Sequence, residues 1–300
     1  MTISTTVYVP DASLYASYSS NLVLDIQKSL YTMNATIATF TNGLITQGTF
    51  AGRPAPGTAG RFYFATDTLT LYYDNGSAWK QISTGFIKQT LYTAAASGTF
   101  TRDTRTMVAR VRAVGAGGAG GGAPITDGTH FGIGAGGGAG GSCEGWFLPG
   151  ATESYTVGAG GTGVAGGTGN SGTATTFGAW LTCNGGTGGQ ANSATTANSQ
   201  LFTNWGTGGT VTTSGGTFTT RTGQTGVWCS NNLANYFFAG AGADSFYGIG
   251  GKINASNTGN GPAGTGNGSG GCGGGNGVSQ GTTKSGGAGT DGLIIVEEFG

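Results

Sequence analysis

Glycine constrains this chain more than any other residue: there are 66 in 300 positions, and only seven stand before residue 86. Glycine loses the most backbone entropy on folding and has no side chain to bury. Helices and ordinary strands cannot use it at the density found from residue 86 onward. Such a segment is either disordered or built on close backbone approach, where a missing Cβ is an advantage.

The spacing favours the second. Gly160, Gly163, Gly166, Gly169 and Gly172 recur every third residue, as do Gly268, Gly271, Gly274 and Gly277. Shorter runs stand at Gly115, Gly118, Gly121 and at Gly134, Gly137, Gly140. Three residues per turn is the polyproline II period. Collagen uses it with abundant proline, and this chain has six. The expected packing is polyglycine II, with extended runs side by side and amides bonding between neighbours. Trp146, Phe147, Tyr155, Val157, Phe177 and Trp180 punctuate the runs. A flexible Gly/Ser linker lacks such residues.

Twelve basic and twelve acidic residues cancel, and no Lys or Arg occurs between Ala113 and Thr220. That removes the basic footprint that nucleic acid or an anionic membrane requires. A surface of Thr, Ser, Asn and amides suits uncharged, hydroxyl-rich or aromatic ligands. Cys143, Cys183, Cys229 and Cys272 are far apart and His130 is the single histidine, so no metal site or cofactor is expected. Met1–Val7 has neither a basic nor an apolar leader region, which favours buried free thiols made in a reducing cytosol.

Three segments follow. In residues 1–46, Val23, Ile26, Leu30, Met33, Ile37, Phe40 and Leu44 alternate steps of three and four, a heptad seam. The seam predicts a helical coiled coil, its large residues suiting a homotrimer, with docking on the chain's own body as the alternative. Residues 47–85 read as a β-meander on one aromatic face, with Asn75-Gly76 as the hairpin signal. Residues 86–300 read as short strands joined to packed polyglycine II helices. The expected class is therefore mainly β with an N-terminal helical segment.

Gly52–Trp79 (GRPAPGTAGRFYFATDTLTLYYDNGSAW) resembles a module that recurs in tail-fibre and tail-tip proteins of bacteriophages. Met107–Gly122, Leu148–Gly161, Thr176–Gly186 and Gly292–Phe299 are similar to the glycine-rich domain at the ends of phage fibres. The resemblance implies a virion protein, made in the host cytoplasm, attached by its N-terminus to a tail or baseplate protein. Its glycine-rich end would bind a bacterial surface glycan or outer-membrane protein. The alternatives are a purely structural tail component and a polyglycine II ice-binding protein.

Catalysis is not expected. Gly115-x-Gly117-x-x-Gly120 fits the dinucleotide fingerprint, but Gly-Gly-Ala-Pro follows it instead of a helix, and no acid stands about twenty residues on. Glycoside hydrolysis needs two carboxylates roughly 5–10 Å apart, whereas Asp127, Glu144, Glu153, Asp244, Asp291, Glu297 and Glu298 form no D-x-D or E-x-E cluster, and each reads as a turn or surface residue. The informative stretch is 190–250, where glycine falls to 11 of 61 residues. Phe202, Trp205, Trp228, Tyr236, Phe237, Phe238, Phe246 and Tyr247 stand there among Asn, Ser and Thr. Rigid aromatic anchors amid small polar residues make a recognition surface, although about half of them are expected to form core. Phe237 and Phe238 are expected to face opposite ways. The first and last strands of the glycine-rich domain, Val108–Val114 and Leu293–Phe299, are expected to be neighbours, with one of Glu297 and Glu298 facing Arg110 and Arg112.

Overall fold

The computed structural model describes residues 29–30, 45–68, 70–82, 85–196, 198–232, 236–255 and 258–300. The chain forms two compact units, one up to Thr84 and one from Gly85 to Gly300. Among the described residues every element is a strand, which corrects the expected helical class. Val23, Ile26, Met33, Ile37, Phe40 and Leu44 lie outside the described residues. Of the proposed seam only Leu30 is described, and it is exposed. Thr36, Thr39 and Thr41 lower helix propensity over that stretch. A coiled coil therefore has no support in the structure.

The first unit is a four-stranded sheet of β1 (Ile45–Gly48), β2 (Phe62–Ala65), β3 (Thr70–Asp74) and β4 (Trp79–Gln81), in that order. β2, β3 and β4 form the expected antiparallel meander, and β1 adds in parallel to β2. Tyr63, Ala65 and Tyr72 bury against Trp79. The Asn75-Gly76 turn is four residues long. Asn75 Oδ1 accepts the amides of Ser77 and Ala78 at 3.1 and 2.8 Å, and Gly76 takes φ +93°. Asp74 is fully buried beside it, bound by Arg61 and by the Gly57, Thr58 and Gly76 amides.

In the second unit the chain shuttles between two ends of a glycine lattice. At one end lie β5 (Phe86–Tyr92), β6 (Ala96–Thr101) and β7 (Val108–Val114). The run 115–123 crosses to β8 (His130–Gly134), and 135–141 returns to β9 (Ser142–Phe147) and β10 (Thr152–Val157). After a further excursion come β11 (Thr175–Phe177) and β12 (Leu181–Cys183), then a crossing to β13 (Ala191–Thr195) and β14 (Gln200–Phe202). The chain returns for β15 (Val211–Thr213) and β16 (Thr217–Arg221) and crosses to β17 (Cys229–Asn231) and β18 (Phe237–Ala239). The remaining strands continue the alternation: β19 (Tyr247–Ile249), β20 (Asn254–Ala255), β21 (Thr265–Asn267), β22 (Gly275–Asn276) and β23 (Leu293–Phe299).

Hydrogen bonds between the runs keep the three-residue period. Ala116 and Ala119 donate to Thr173 and Asn170, Gly117 and Gly120 to Thr290 and Gly287, and Gly118 and Gly121 to Gly138 and Ala135. Each successive residue thus points to a different neighbour, as a three-fold backbone requires. The run 116–121 also accepts from Gly186 and Gly189, from Gly271 and Gly274, and from Gly161, so neighbours enclose it on all sides. A Cβ on Gly134 would overlap the carbonyl oxygen of Gly121, and one on Gly137 that of Gly118. The lattice forms because glycine lets backbones touch, and the amides of 115–123 and 134–141 each donate to a neighbouring run.

At the first end two five-stranded sheets face each other, β16-β9-β7-β23-β5 and β15-β12-β11-β10-β6. Phe100, Val111, Phe147, Phe177, Leu181, Ile294 and Val296 pack between them. The expected β7–β23 pairing is present, antiparallel, with Glu297 opposite Arg110 and Ile295 opposite Arg112. At the far end stand the sheets β13-β8-β22 and β14-β17-β18-β20, over a second core that includes Phe131, Ile133 and Phe237.

Candidate binding face

The far-end sheet β14-β17-β18-β20 has two faces of opposite character. Its register aligns Leu201, Ser230 and Phe238, with Phe202 opposite Cys229 and Asn231 opposite Phe237. Alternation turns Phe202, Cys229 and Phe237 inward, where they meet Phe131, Ile133 and Ala194. Asn231 pins the adjoining loop: its side-chain amide donates to Thr195 O at 2.9 Å and Asn198 O at 3.0 Å, and its Oδ1 accepts from Gln200 N at 3.0 Å. Burial pushes the Cys229 thiol up to about 12, although Asn192 donates to its sulfur, so it stays protonated at neutral pH.

The outer face carries Leu201, Trp228, Tyr236 and Phe238, with fractional exposures of 61, 45, 54 and 37%. Ile253, just before β20, shares this side by alternation and is exposed as well. Three of the four named first are aromatic, rigid and large, and they share one face of one sheet. Phe237 and Phe238 face opposite ways, as the sequence led us to expect.

The eight predicted aromatics do not form one site. Trp228, Tyr236 and Phe238 are exposed at the far end. Phe237 is core there, and Phe202 and Trp205 pack half-buried against it. Phe246 and Tyr247 stand at the other end, where Tyr247 packs on Val114, Leu293 and Ile295. The run 116–123 separates the ends by about 25 Å, from roughly 3.1 Å per residue. Sequence reasoning missed Leu201, because it counted only aromatics; the alternation in Gln200-Leu201-Phe202 was the signal available.

The carboxylates weighed for catalysis are engaged in structure. Glu144 pairs with Arg110 at 2.8 Å, and Glu297 with Arg112 at 2.9 Å. Glu153 accepts from Trp180 Nε1 at 2.9 Å, Asp291 from Gly160 N at 2.9 Å and Asp244 from Gly250 N at 2.7 Å. Asp127 accepts from His130 and Thr129, and these bonds hold its carboxyl below the usual range. Glu298, expected at the surface, is fully buried: alternation turns it into the sandwich, where Lys88, Thr106 Oγ1 and Asp103 N surround its carboxylate. The amides of Gly115, Gly117 and Gly120, which a dinucleotide loop would turn toward phosphate, bond to Gly141, Thr290 and Gly287.

Residues 93–298, more than two thirds of the chain, match the family model of a glycine-rich domain. The chain belongs to the glycine-rich domain family. The match begins within the β5–β6 connection and ends in β23, so it takes in the lattice and nearly all of the strands at both ends. No curated protein matches the chain. The candidate face therefore lies inside the glycine-rich domain, on strands that the lattice holds apart from the entry point of the chain at Gly85.

Proposed function

We propose that this protein is a bacteriophage tail-fibre or tail-tip adhesin that binds a bacterial surface receptor through the far end of its glycine-rich domain. The observation that carries the reading is the outward row of Leu201, Trp228, Tyr236 and Phe238 on a sheet whose other face is core. Aromatic anchors of this kind contribute about 2 kcal/mol or more each to a protein interface. The likeness of residues 52–79 to phage fibre modules supports a place on the virion, with the N-terminal unit toward the tail. The role is binding rather than catalysis, which agrees with carboxylates engaged by arginines, amides and buried partners. The receptor is an outer-membrane protein loop or a glycan, either of which an aromatic face accommodates.

Adsorption of the purified chain to host cells tests this. Trp228→Ala, Tyr236→Ala and Phe238→Ala are expected to weaken adsorption by about thirtyfold or more each, the equivalent of about 2 kcal/mol, with little change in melting temperature. Undiminished adsorption by all three variants would overturn the reading.

A further inference from the structure

The sandwich end carries a cleft of its own. It lies where β16 runs beside β9, has a volume of about 140 Å³, and is lined by Ser142, Glu144, Thr219, Arg221, Phe246 and Tyr247. The β16–β9 register sets Arg221 opposite Ser142 and Thr219 opposite Glu144, so all four side chains rise on one face. The turn into β19 brings Phe246 and Tyr247 over them. Tyr247 is seated on Val114, Leu293 and Ile295, and Phe246 meets it edge to face at 4.9 Å.

The charges on this face do not balance. Arg110 binds Glu144 at 2.8 Å, and Arg110 and Arg112 share Glu297 at 3.5 and 2.9 Å. Three arginines thus stand against two carboxylates. The one left over is Arg221, which makes no ion pair among the described residues. It is nevertheless oriented, with its guanidinium carbon 5.4 Å from the centre of the Phe246 ring. A guanidinium held against a ring keeps its N–H fork available for a planar oxyanion. The Ser142 and Thr219 hydroxyls and the exposed Phe246 ring flank the cleft.

We infer that this cleft binds one carboxylate-bearing pyranose, the hexuronic acid unit of an acidic polysaccharide. Arg221 takes the carboxylate, Ser142, Thr219 and Glu144 meet the ring hydroxyls, and Phe246 meets the apolar face of the ring. The cleft is well below the roughly 300 Å³ of a pocket for a drug-sized ligand, so it accepts a single ring. Hydroxyls and an aromatic ring beside the cation distinguish a sugar acid from a bare anion. This site stands about 25 Å from the far-end face, by the polyglycine rise, and does not depend on it.

Saturation-transfer NMR and calorimetry on the full chain test the assignment with galacturonate, glucuronate, glucose and inorganic phosphate as probes. Galacturonate or glucuronate is expected to bind with a dissociation constant on the order of 1 mM, as a single ring with few contacts should. Glucose and phosphate are expected to bind at least about tenfold more weakly. Arg221→Gln should cost about tenfold or more and Phe246→Ala a measurable loss, both at unchanged melting temperature because both side chains are exposed. Trp228→Ala should leave uronate binding intact, which separates this site from host adsorption. Equal binding of glucose removes the carboxylate from the account, and equal binding of phosphate removes the sugar. No uronate binding at 10 mM, roughly ten times the expected constant, or unaltered affinity in Arg221→Gln, overturns the proposal.

Discussion

A single glycine inside the lattice carries more structural consequence than most side chains of the core. Gly137 and Gly281 make the comparison. A Cβ on Gly137 collides with the carbonyl of Gly118, whereas one on Gly281 meets nothing within 4 Å. Gly137→Ala is therefore expected to destabilise the second unit by about 1–3 kcal/mol or more, the range for overpacked interiors. Gly281→Ala should fall within about 0.5 kcal/mol of wild type. Thermal unfolding of the two variants side by side checks this. Asp74 gives a pH-dependent counterpart in the first unit. Burial alone would push its carboxyl up, but Arg61 and the amides of Gly76, Thr58 and Gly57 outweigh that and hold it at about 2. Its pKa in the unfolded chain is near 3.9, so folding depresses it. The stabilisation is then fully present above about pH 4 and is lost as pH falls toward 2. The amide resonances of Gly57 and Thr58 should report that transition, and Asp74→Asn should abolish its pH dependence.

Strand pairing separates two adjacent glutamates into different roles. Glu297 and Glu298 end β23, yet alternation sends Glu297 to the arginine face and Glu298 into the sandwich. Glu298→Ala strands the Asp103 amide, the Thr106 hydroxyl and the Lys88 ammonium, and is expected to cost about 2–4 kcal/mol. Glu297→Ala, in a partly solvated network, should cost about 1 kcal/mol or less. Chemical denaturation of both variants decides whether the faces are assigned correctly; equal losses would count against the register. This pairing was legible in the sequence because Arg110 and Arg112 alternate and Leu293–Val296 is apolar throughout. The polyglycine packing was legible from its three-residue period. The N-terminal heptad predicted a helical class that the described residues, whose elements are all strands, do not support, and all of its seam but Leu30 lies outside them. The site was legible only in part: composition marks 190–250 as unusual, but the chain crosses the lattice at Gly206–Gly209, at Gly223–Gly226 and again at Gly240–Ala243. Neighbours in sequence such as Phe238 and Phe246 thereby reach opposite ends, and no local pattern encodes that separation.

The molecule as a whole divides its labour by distance. The glycine lattice buries backbone instead of side chains, which leaves aromatic residues free for the surfaces at its ends. The far end offers an apolar aromatic face, and the sandwich end offers a small cleft with an unpaired cation. The far-end face is proposed as the attachment surface, held out by a rigid lattice. Hydrogen exchange by mass spectrometry, with and without outer-membrane vesicles from a strain the protein adsorbs to, measures both properties at once. The amides of 116–121 and 134–141 should exchange as slowly as those of β7 and β23 in either condition. Peptides containing Leu201, Trp228–Ser230 and Tyr236–Phe238 should gain protection on vesicle binding. Fast exchange throughout the glycine runs, or protection that leaves β14, β17 and β18 unchanged, would contradict the account.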